Sequence, residues 1–211
     1  MKLPSFHIRR DGCGSWRDTW YGDQRDLVKW GTLAHLAERE SLDVIVQVPF
    51  LRLGPRPPLQ NRNTESAISP QVWAFFRDVQ AVQALGDRLG RRIIVVDCIF
   101  EPGHREEYRQ QVVTELAGRP EKKVVLLDPD TGIEPVRVTP KHATVEDVKA
   151  VWEVLKQGDW LVLYQHARRR KDWREEALSK FRSACLTEGT EMFSAPGIAP
   201  DVIFMAVPKG R

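Results

Sequence analysis

Short runs of apolar, mostly β-branched residues recur along this chain, and they constrain its fold more than any other feature. Each run has the length of a strand, and apolar residues at helical spacing fill the stretches between the runs. The run Ile93-Ile94-Val95-Val96 is continuous rather than alternating, which is typical of a parallel strand covered by helices on both faces. The predicted strands are 43–48, 92–100, 122–128 and 159–165.

Helix signals separate these strands. Asp23 is a good N-cap for a helix whose apolar face holds Leu27, Trp30 and Leu33, and Thr144 begins a later helix with Asp147 in the capping-box position. Pro49 to Pro70 is predicted to be a long loop. The other predicted elements are helices 71–89, 104–117 and 171–186 and a closing hairpin of 192–194 with 202–207.

The alternation of strand and helix predicts an α/β fold with a doubly wound, mostly parallel sheet, of the Rossmann or methyltransferase-like kind. No linker divides the chain into two cores, and 211 residues suit a single domain. We therefore expect an irregular N-terminal arm over residues 1–22 and one Rossmann-like domain with a closing C-terminal hairpin over residues 23–211.

Composition excludes several classes of protein. Cys13, Cys98 and Cys185 are far apart and form no C-x-x-C pair, which argues against a zinc knuckle and a disulfide framework. The first ten residues contain no apolar run of signal-peptide length, and no stretch approaches the ~20 apolar residues that span a bilayer. We expect a cytoplasmic protein without a membrane partner. The net charge of +3 is too small to indicate nucleic acid by itself.

Polar side chains follow the predicted strands where each one ends. In open α/β sheets, ligands bind outside the carboxyl ends of the strands, so these residues are expected to line one site. The candidates are Asp97 after the second strand, Asp128, Asp130 and Glu134 after the third, and His166 after the fourth.

The segment Asp128-Pro129-Asp130-Thr131-Gly132 places two carboxylates on one tight turn. With Glu134 they would suit Mg²⁺ or Mn²⁺, which prefer oxygen ligands, and His166 would then be a general base. Alternatively, one carboxylate would accept a hydrogen bond from a substrate amine. Every residue of the segment also favours turns, so plain turn chemistry is a third interpretation.

A basic run lies beside this predicted site. Arg168, Arg169, Arg170 and Lys171 would neutralise phosphates, and Trp173 would stack on a base. A solvated surface explains the same run without any nucleic acid.

Several familiar motifs are absent. The sequence contains no G-x-G-x-x-G after a strand, no G-x-x-x-x-G-K-[ST], no G-x-S-x-G and no H-E-x-x-H. This disfavours nicotinamide dehydrogenases, P-loop enzymes, α/β-hydrolases and zinc proteases.

Segments 21–29, 127–134, 141–142 and 163–166 together resemble a family of uncharacterised phage and bacterial proteins. In that family an Asp-Pro-Asp-(Asn/Thr)-Gly-(Leu/Ile)-Glu motif is followed by Tyr-Gln-His after the next strand, and this chain has both. The resemblance implies no particular activity.

The layout is also similar to that of adenine-N6 methyltransferases acting on ribosomal RNA. Asp26 and Lys29 match the opening Asp-x-x-Lys of that family, and Asp128-Pro129 match the start of its catalytic Asp-Pro-Pro-(Tyr/Phe). The resemblance implies that Asp128 accepts a hydrogen bond from the target amine while the base is held out of its stack. It also implies S-adenosylmethionine as cofactor, for which we expect Asp97 and Lys29 as contacts.

The chain departs from that pattern at two places. Asp130 stands where the second proline is expected, and the first strand leads into Pro49-Phe50-Leu51-Arg52 instead of a glycine-rich loop. Three functions therefore remain open: a methyltransferase-like protein on nucleic acid, a Mg²⁺- or Mn²⁺-dependent phosphodiesterase or nuclease, and a non-catalytic nucleic-acid- or partner-binding protein.

Overall fold

The fold is built on a central sheet of six strands. The computed structural model describes residues 23–52, 59–61, 64–66 and 82–210. In chain order the elements are α1 (Gln24–Arg39), β1 (Val44–Pro49), β2 (Leu59–Asn61), β3 (Thr64–Ser66), α2 (Gln83–Leu89), β4 (Arg92–Val95), a 3₁₀ turn (Pro102–His104), α3 (Arg105–Ala117), β5 (Lys123–Asp128), β6 (Gly132–Ile133), β7 (His142–Ala143), α4 (Val145–Val154), β8 (Trp160–His166), α5 (Trp173–Cys185), β9 (Glu191–Ala195) and β10 (Ala199–Pro208).

The strand order confirms the predicted doubly wound architecture. The sheet runs β4-β1-β5-β8-β10-β9. The first four strands are parallel, and β10 is antiparallel to both β8 and β9. The last two strands are the closing C-terminal hairpin predicted from the sequence. Two small pairs lie outside the sheet, antiparallel β2–β3 and parallel β6–β7.

Helices cover both faces of the sheet, which is why its inner strands are apolar throughout. One core cluster packs β1, β5 and β8 against α3, α4 and α5. The other packs the opposite faces of the same strands mainly against α1. Every residue of β1 is buried, and β5 and β8 are buried except at their last residues.

The second predicted strand is shorter than expected and lies elsewhere in the sheet. β4 ends at Val95 instead of reaching residue 100, and only a single bridge between Leu51 and Ile99 continues the pairing. Since β4 is the edge strand, its burial alternates, and Ile94 is only partly buried. The continuous apolar run was correctly interpreted as parallel, but burial on both faces was wrong for this strand.

The predicted helix caps are confirmed. Asp23 accepts hydrogen bonds from the backbone N–H groups of Arg25 and Asp26 at 2.8 and 2.9 Å. Thr144 and Asp147 form a complete capping box at the start of α4. One assignment on α1 was wrong, because Leu27, predicted to be on the apolar face, is 62% exposed.

Some sequence predictions fall outside the described residues. These are the arm 1–22, most of the loop 49–70 and the first part of the helix predicted over 71–89, of which the structure describes Gln83–Leu89. Within the predicted loop, residues 59–61 and 64–66 are not plain coil, since they form the β2–β3 pair. Among the described helices, none is long and apolar enough to cross a membrane.

Candidate functional site

The topology places a crevice between β1 and β5. After β1 the chain moves outward to β4, and then returns to β5 on the other side of β1. The connections that follow these two neighbouring strands therefore lead to opposite sides in the strand order, and ligands of open α/β sheets bind at such a switch point. The two strands end together, with Pro49 and Asp128 paired in the register.

A buried ion-pair network fills the α1 side of this crevice. Lys29 Nζ lies 2.8 Å from Asp26 Oδ1 and 2.8 Å from Asp128 Oδ2. Gln47 Nε2 donates a hydrogen bond of 2.6 Å to the same Asp128 Oδ2. Asp26 and Lys29 are 6% and 7% exposed, and Gln47 is fully buried. Two residues of α1 and one from each of two neighbouring strands thus meet in one place.

The local sequence explains how these side chains converge. Asp26 and Lys29 are three residues apart, so they lie on the same face of α1, the face turned to the sheet. Gln47 and Asp128 point to that face because side chains alternate along a strand, and their neighbours Ile45 and Leu126 pack in the α1 core cluster.

The orientation of Asp128 is fixed by this network. Both donors that reach its carboxylate in the described part of the chain contact Oδ2. Burying charges is costly unless they are paired and hydrogen-bonded, and here the Lys29 ammonium and the Gln47 amide meet that requirement. Neither of these two donors contacts Asp128 Oδ1.

Tyr164 stands beside Asp128 on the neighbouring strand. Leu127 pairs with Leu163, so Tyr164 occupies the next position of β8, on the same face as Asp128. The ring centroid lies 5.8 Å from Lys29 Nζ, and the ring makes an edge contact with Phe204 at 5.7 Å. Burial, together with the negative charge of Asp128, raises the pKa of Tyr164, so its hydroxyl remains a proton donor at neutral pH.

Asp130 has a different partner from Asp128. Its carboxylate forms an ion pair with Arg52, which comes from the segment after β1. Burial raises the pKa of Asp130, and the positive charge of Arg52 opposes that shift. The pair links the two segments that flank the crevice, one following β1 and the other following β5.

Glu134 contacts the start of α4. Its side chain accepts a hydrogen bond of 3.2 Å from the backbone N–H of Val145, and its carbonyl oxygen accepts one of 2.7 Å from Lys180 Nζ. The three carboxylates predicted as Mg²⁺ or Mn²⁺ ligands, Asp128, Asp130 and Glu134, therefore have three different partners. Within the described ranges, no group of three or more His, Cys, Asp or Glu side chains is placed to hold a metal ion.

His166 is the last residue of β8 and lies on the same face of the sheet as Tyr164. Its Nε2 is 3.1 Å from Asp201 Oδ2, and its Nδ1 is 3.0 Å from the carbonyl oxygen of Ala167. Asp201 also accepts hydrogen bonds from Arg25 at 2.6 and 3.1 Å, and these lower the pKa of the Asp201 carboxyl. The structure thus groups His166 with Asp201 and Arg25, rather than with the Asp130 and Glu134 carboxylates.

The two predicted cofactor contacts are in different surroundings. Lys29 is buried in the ion-pair network. Asp97 is exposed and follows the end of β4 by two residues. After β1 the chain continues through Phe50 and Leu51, which are only 4% and 2% exposed. An extended segment therefore replaces the glycine-rich turn of the methyltransferase pattern.

The basic run after β8 divides into buried and exposed members. Arg168 is partly buried, donates to the carbonyl oxygen of Ile133 and lies 3.8 Å from Glu176. Arg170 is exposed but forms two hydrogen bonds with Asp172, at 2.9 and 2.6 Å.

The remaining members of the run differ in exposure. Trp173, predicted to stack on a base, is instead 8% exposed and packs in the core, with Arg174 over its ring. Arg169 and Lys171 are exposed. Arg169 and Lys171 are thus the best placed of the predicted phosphate contacts.

Sequence reasoning missed several residues of this region. Gln47 is a polar residue inside the apolar run Val-Ile-Val-Gln-Val, and that interruption is the signal that marks it. Tyr164 and Gln165 were noted only as neighbours of His166. Arg52 and Asp201 carry no local signal, because their roles depend on partners that are distant in sequence.

Comparison with known proteins gives little to add to this geometry. No protein-family profile matches the chain. No curated protein sequence matches it either. One matching solved structure is a DUF574 family protein from Streptomyces avermitilis MA-4680, with 12% sequence identity, coverage of 89% of this chain and 82% of that chain, and a TM-score of 0.40. The assignment to the doubly wound class therefore comes from the strand order itself.

Proposed function

We propose that this chain is a methyltransferase-like Rossmann protein that binds S-adenosylmethionine at the β1–β5 switch point and acts on an amine of a nucleic acid. One observation carries the proposal. Asp26 and Lys29, which match the opening motif of the adenine-N6 methyltransferases, meet Asp128, which matches the start of their catalytic motif. These residues are about a hundred positions apart in sequence, so their contact is not a consequence of local structure.

Asp128 is the acceptor in this proposal. Lys29 and Gln47 hold Oδ2, so Oδ1 is presented in a fixed direction. An amine that donates a hydrogen bond to Oδ1 would be oriented with its lone pair free to form the new N–C bond. The methyl–sulfur bond of S-adenosylmethionine would break, S-adenosylhomocysteine would be the leaving group, and the amine proton would pass to Asp128 or to solvent. Preorganised groups of this kind lower the barrier because no reorganisation is needed during the reaction.

Asp97 after β4 supports the cofactor assignment, whereas the segment after β1 departs from the methyltransferase pattern. Asp97 is exposed after β4, next to β1, where an acidic side chain would accept hydrogen bonds from ribose hydroxyls. The segment after β1 offers buried Phe50 and Leu51 in place of glycines. When bound, S-adenosylmethionine would supply an electrophilic methyl group, and this chain would hold it with side chains rather than with a glycine-rich backbone.

The nucleic-acid part of the proposal depends on Arg169 and Lys171. They are exposed and follow β8, the strand next to the one that ends in Asp128. Contacts from such residues to phosphates release counterions, so we expect the affinity for RNA or DNA to fall steeply with salt concentration.

The metal-dependent alternative has no comparable support. It needs Asp128, Asp130 and Glu134 to share one ion, whereas each of the three has its own protein partner. The non-catalytic alternative is an outcome of the test that follows.

The decisive experiment combines calorimetry with S-adenosylmethionine and methyl transfer to total RNA and to DNA from a labelled donor. We expect saturable cofactor binding and transfer to one of the two polymers. Asp128→Asn should keep cofactor binding and lower the transfer rate by about a hundredfold or more, since it removes the charged acceptor. Asp43→Asn is the matched control, because Asp43 is exposed just before β1, at the amino end of the strand and away from the proposed site.

Each result has a clear consequence. No binding at about 1 mM S-adenosylmethionine, where even a weak specific site with a free energy of about −4 kcal/mol is half filled, would reject the cofactor assignment. Nucleic-acid binding without any transfer would favour the non-catalytic protein. Equal transfer rates for wild type and Asp128→Asn would remove Asp128 from the reaction.

A further inference from the structure

Gln165 lies directly beneath the loop that follows β5. It is fully buried at the end of β8, on the face opposite Tyr164. Its Oε1 accepts a hydrogen bond of 3.0 Å from the backbone N–H of Ile133, and its Nε2 donates to the carbonyl oxygens of Thr131 at 3.1 Å and His166 at 2.7 Å. Both N–H donors and the carbonyl acceptor of the amide are therefore used.

The loop is shaped to fit this amide. Gly132 has φ of +100°, a conformation that side-chain-bearing residues rarely adopt. A Cβ at Gly132 would lie 2.2 Å from Gln165 Oε1, so the backbone rests on the amide with no room for a side chain. The backbone N–H of Thr131 donates to the carbonyl oxygen of Lys141 at 3.2 Å, which ties the same loop to the segment before β7.

We infer that Gln165 is a positioning residue that fixes the loop from Asp128 to Ile133. The loop follows the proposed acceptor Asp128 and carries Asp130, so its conformation decides where the Asp130 carboxylate lies and how the chain leaves Asp128. The effect on methyl transfer rests on the proposed function, whereas the effect on loop conformation does not.

The chemistry of the contact explains why an amide is needed. Two carbonyl oxygens accept from the side chain, and one backbone N–H donates to it. The Thr131 carbonyl oxygen also accepts from the backbone N–H of His166 at 3.4 Å, so the His166 carbonyl oxygen and the Ile133 N–H depend on the amide more strongly. A carboxylate has acceptors only, and an apolar side chain has neither. Leaving the buried Ile133 N–H without its acceptor, or placing a negative charge against two carbonyl oxygens, destabilises this loop conformation.

The substitution Gln165→Glu converts this requirement into a dependence on pH. When protonated, the introduced carboxyl accepts from Ile133 and donates to one carbonyl, which nearly reproduces the amide. When ionised, it faces Thr131 and His166 carbonyl oxygens with no donor. Burial and these carbonyls raise the pKa of the introduced group, so the defect should be small at acidic pH and grow as pH rises.

The experiment compares wild type, Gln165→Glu, Gln165→Met and Gln111→Glu at pH 5 and pH 8. Gln111 is exposed on α3, so its substitution is the matched control for adding a carboxylate. Hydrogen exchange of the peptide covering residues 128–134 is measured as the ratio of variant to wild type at the same pH. Cofactor affinity and methyl transfer are measured on the same samples.

We expect loop exchange in Gln165→Glu to be about tenfold faster than in wild type at pH 8 and near wild type at pH 5, a change of the size that follows from losing a hydrogen bond. Gln165→Met should be faster at both pH values, and Gln111→Glu at neither. Methyl transfer by Gln165→Glu should recover at pH 5 relative to wild type. If Gln165→Glu does not fold at pH 8, the same ratios are followed from pH 5 upward until unfolding.

Unchanged loop exchange in both Gln165 variants would overturn the inference. So would an equal defect of Gln165→Glu at both pH values, because the donor requirement would then be irrelevant. If wild type neither binds S-adenosylmethionine nor transfers methyl groups, the proposed function fails, and the exchange ratios still decide the role of Gln165.

Discussion

Replacing Lys29 by methionine tests the buried network directly. Methionine has a similar length and no charge, so the substitution removes the cation that Asp26 and Asp128 share. The three side chains are only 8–9% exposed, and water therefore compensates the remaining carboxylates poorly. Removing one partner of a buried pair costs about 3–5 kcal/mol. Gln47 still donates its hydrogen bond to Asp128, so we expect a loss of unfolding free energy at the lower end of that range.

The assay is equilibrium unfolding in urea at pH 7, with thermal unfolding as a second readout. For a protein of this length each kcal/mol corresponds to about 2–4 °C, so the midpoint should fall by at least about 6 °C. Lys149→Met is the matched control. The side chain of Lys149 is 57% exposed on α4, and it forms only a long, exposed ion pair of 3.8 Å with Glu153.

A double-mutant cycle separates the pair from the general cost of changing Lys29. Adding Asp128→Asn to Lys29→Met removes one of the two carboxylates that Lys29 pairs with, so the double variant should be less destabilised than the sum of the two single variants. Additive losses, or a loss below about 1 kcal/mol for Lys29→Met, which is the range of exposed ion pairs, would refute the reasoning.

Three further predictions concern other parts of the fold. Gly132→Ala should lower the unfolding free energy by at least about 1–3 kcal/mol from backbone strain, with additional cost from displacing Gln165, as measured in urea; a neutral effect would contradict the close approach. Arg25 lowers the pKa of the Asp201 carboxyl, so this pair stabilises the protein at neutral pH and the stabilisation is lost as pH falls below about 4; unfolding curves of wild type and Asp201→Asn should therefore converge in acid, and a constant gap would be the contrary result. Thr144→Ala removes the side-chain cap of α4 and should cost about 1 kcal/mol in the same assay, and it should leave cofactor binding unchanged.

The α/β class was predictable because it depends on periodicity, which the sequence displays directly. The apolar runs around Val46, Val125 and Val162 became three of the four inner strands, and the hairpin at the C-terminus formed as expected. The position of β4 was not predictable, because a parallel run has the same local pattern at the edge of a sheet as in its centre. Strand order is decided by which strands pair.

The candidate site was predictable only in part. Asp128 was identified because it ends a buried strand, and such ends converge in parallel sheets. The sequence did not predict the partners of the three carboxylates, which are Lys29 for Asp128, Arg52 for Asp130 and the start of α4 for Glu134. Each partner comes from a different part of the chain. The sequence suggested shared metal ligands from proximity along the chain, whereas in the described part of the structure each carboxylate has a different protein partner.

By itself, the sequence determined the elements of this protein, the doubly wound class and the strand end at which its polar residues collect, because hydrophobic period, capping residues and turn residues act over a few positions. Only the tertiary structure decided that Asp26, Lys29, Gln47 and Asp128 form one buried network and that Gln165, on the opposite face of the sheet, hydrogen-bonds to the loop after Asp128. The physical reason is that a buried charge or amide must find its partners wherever packing brings them, and those partners lie up to about a hundred residues away along the chain.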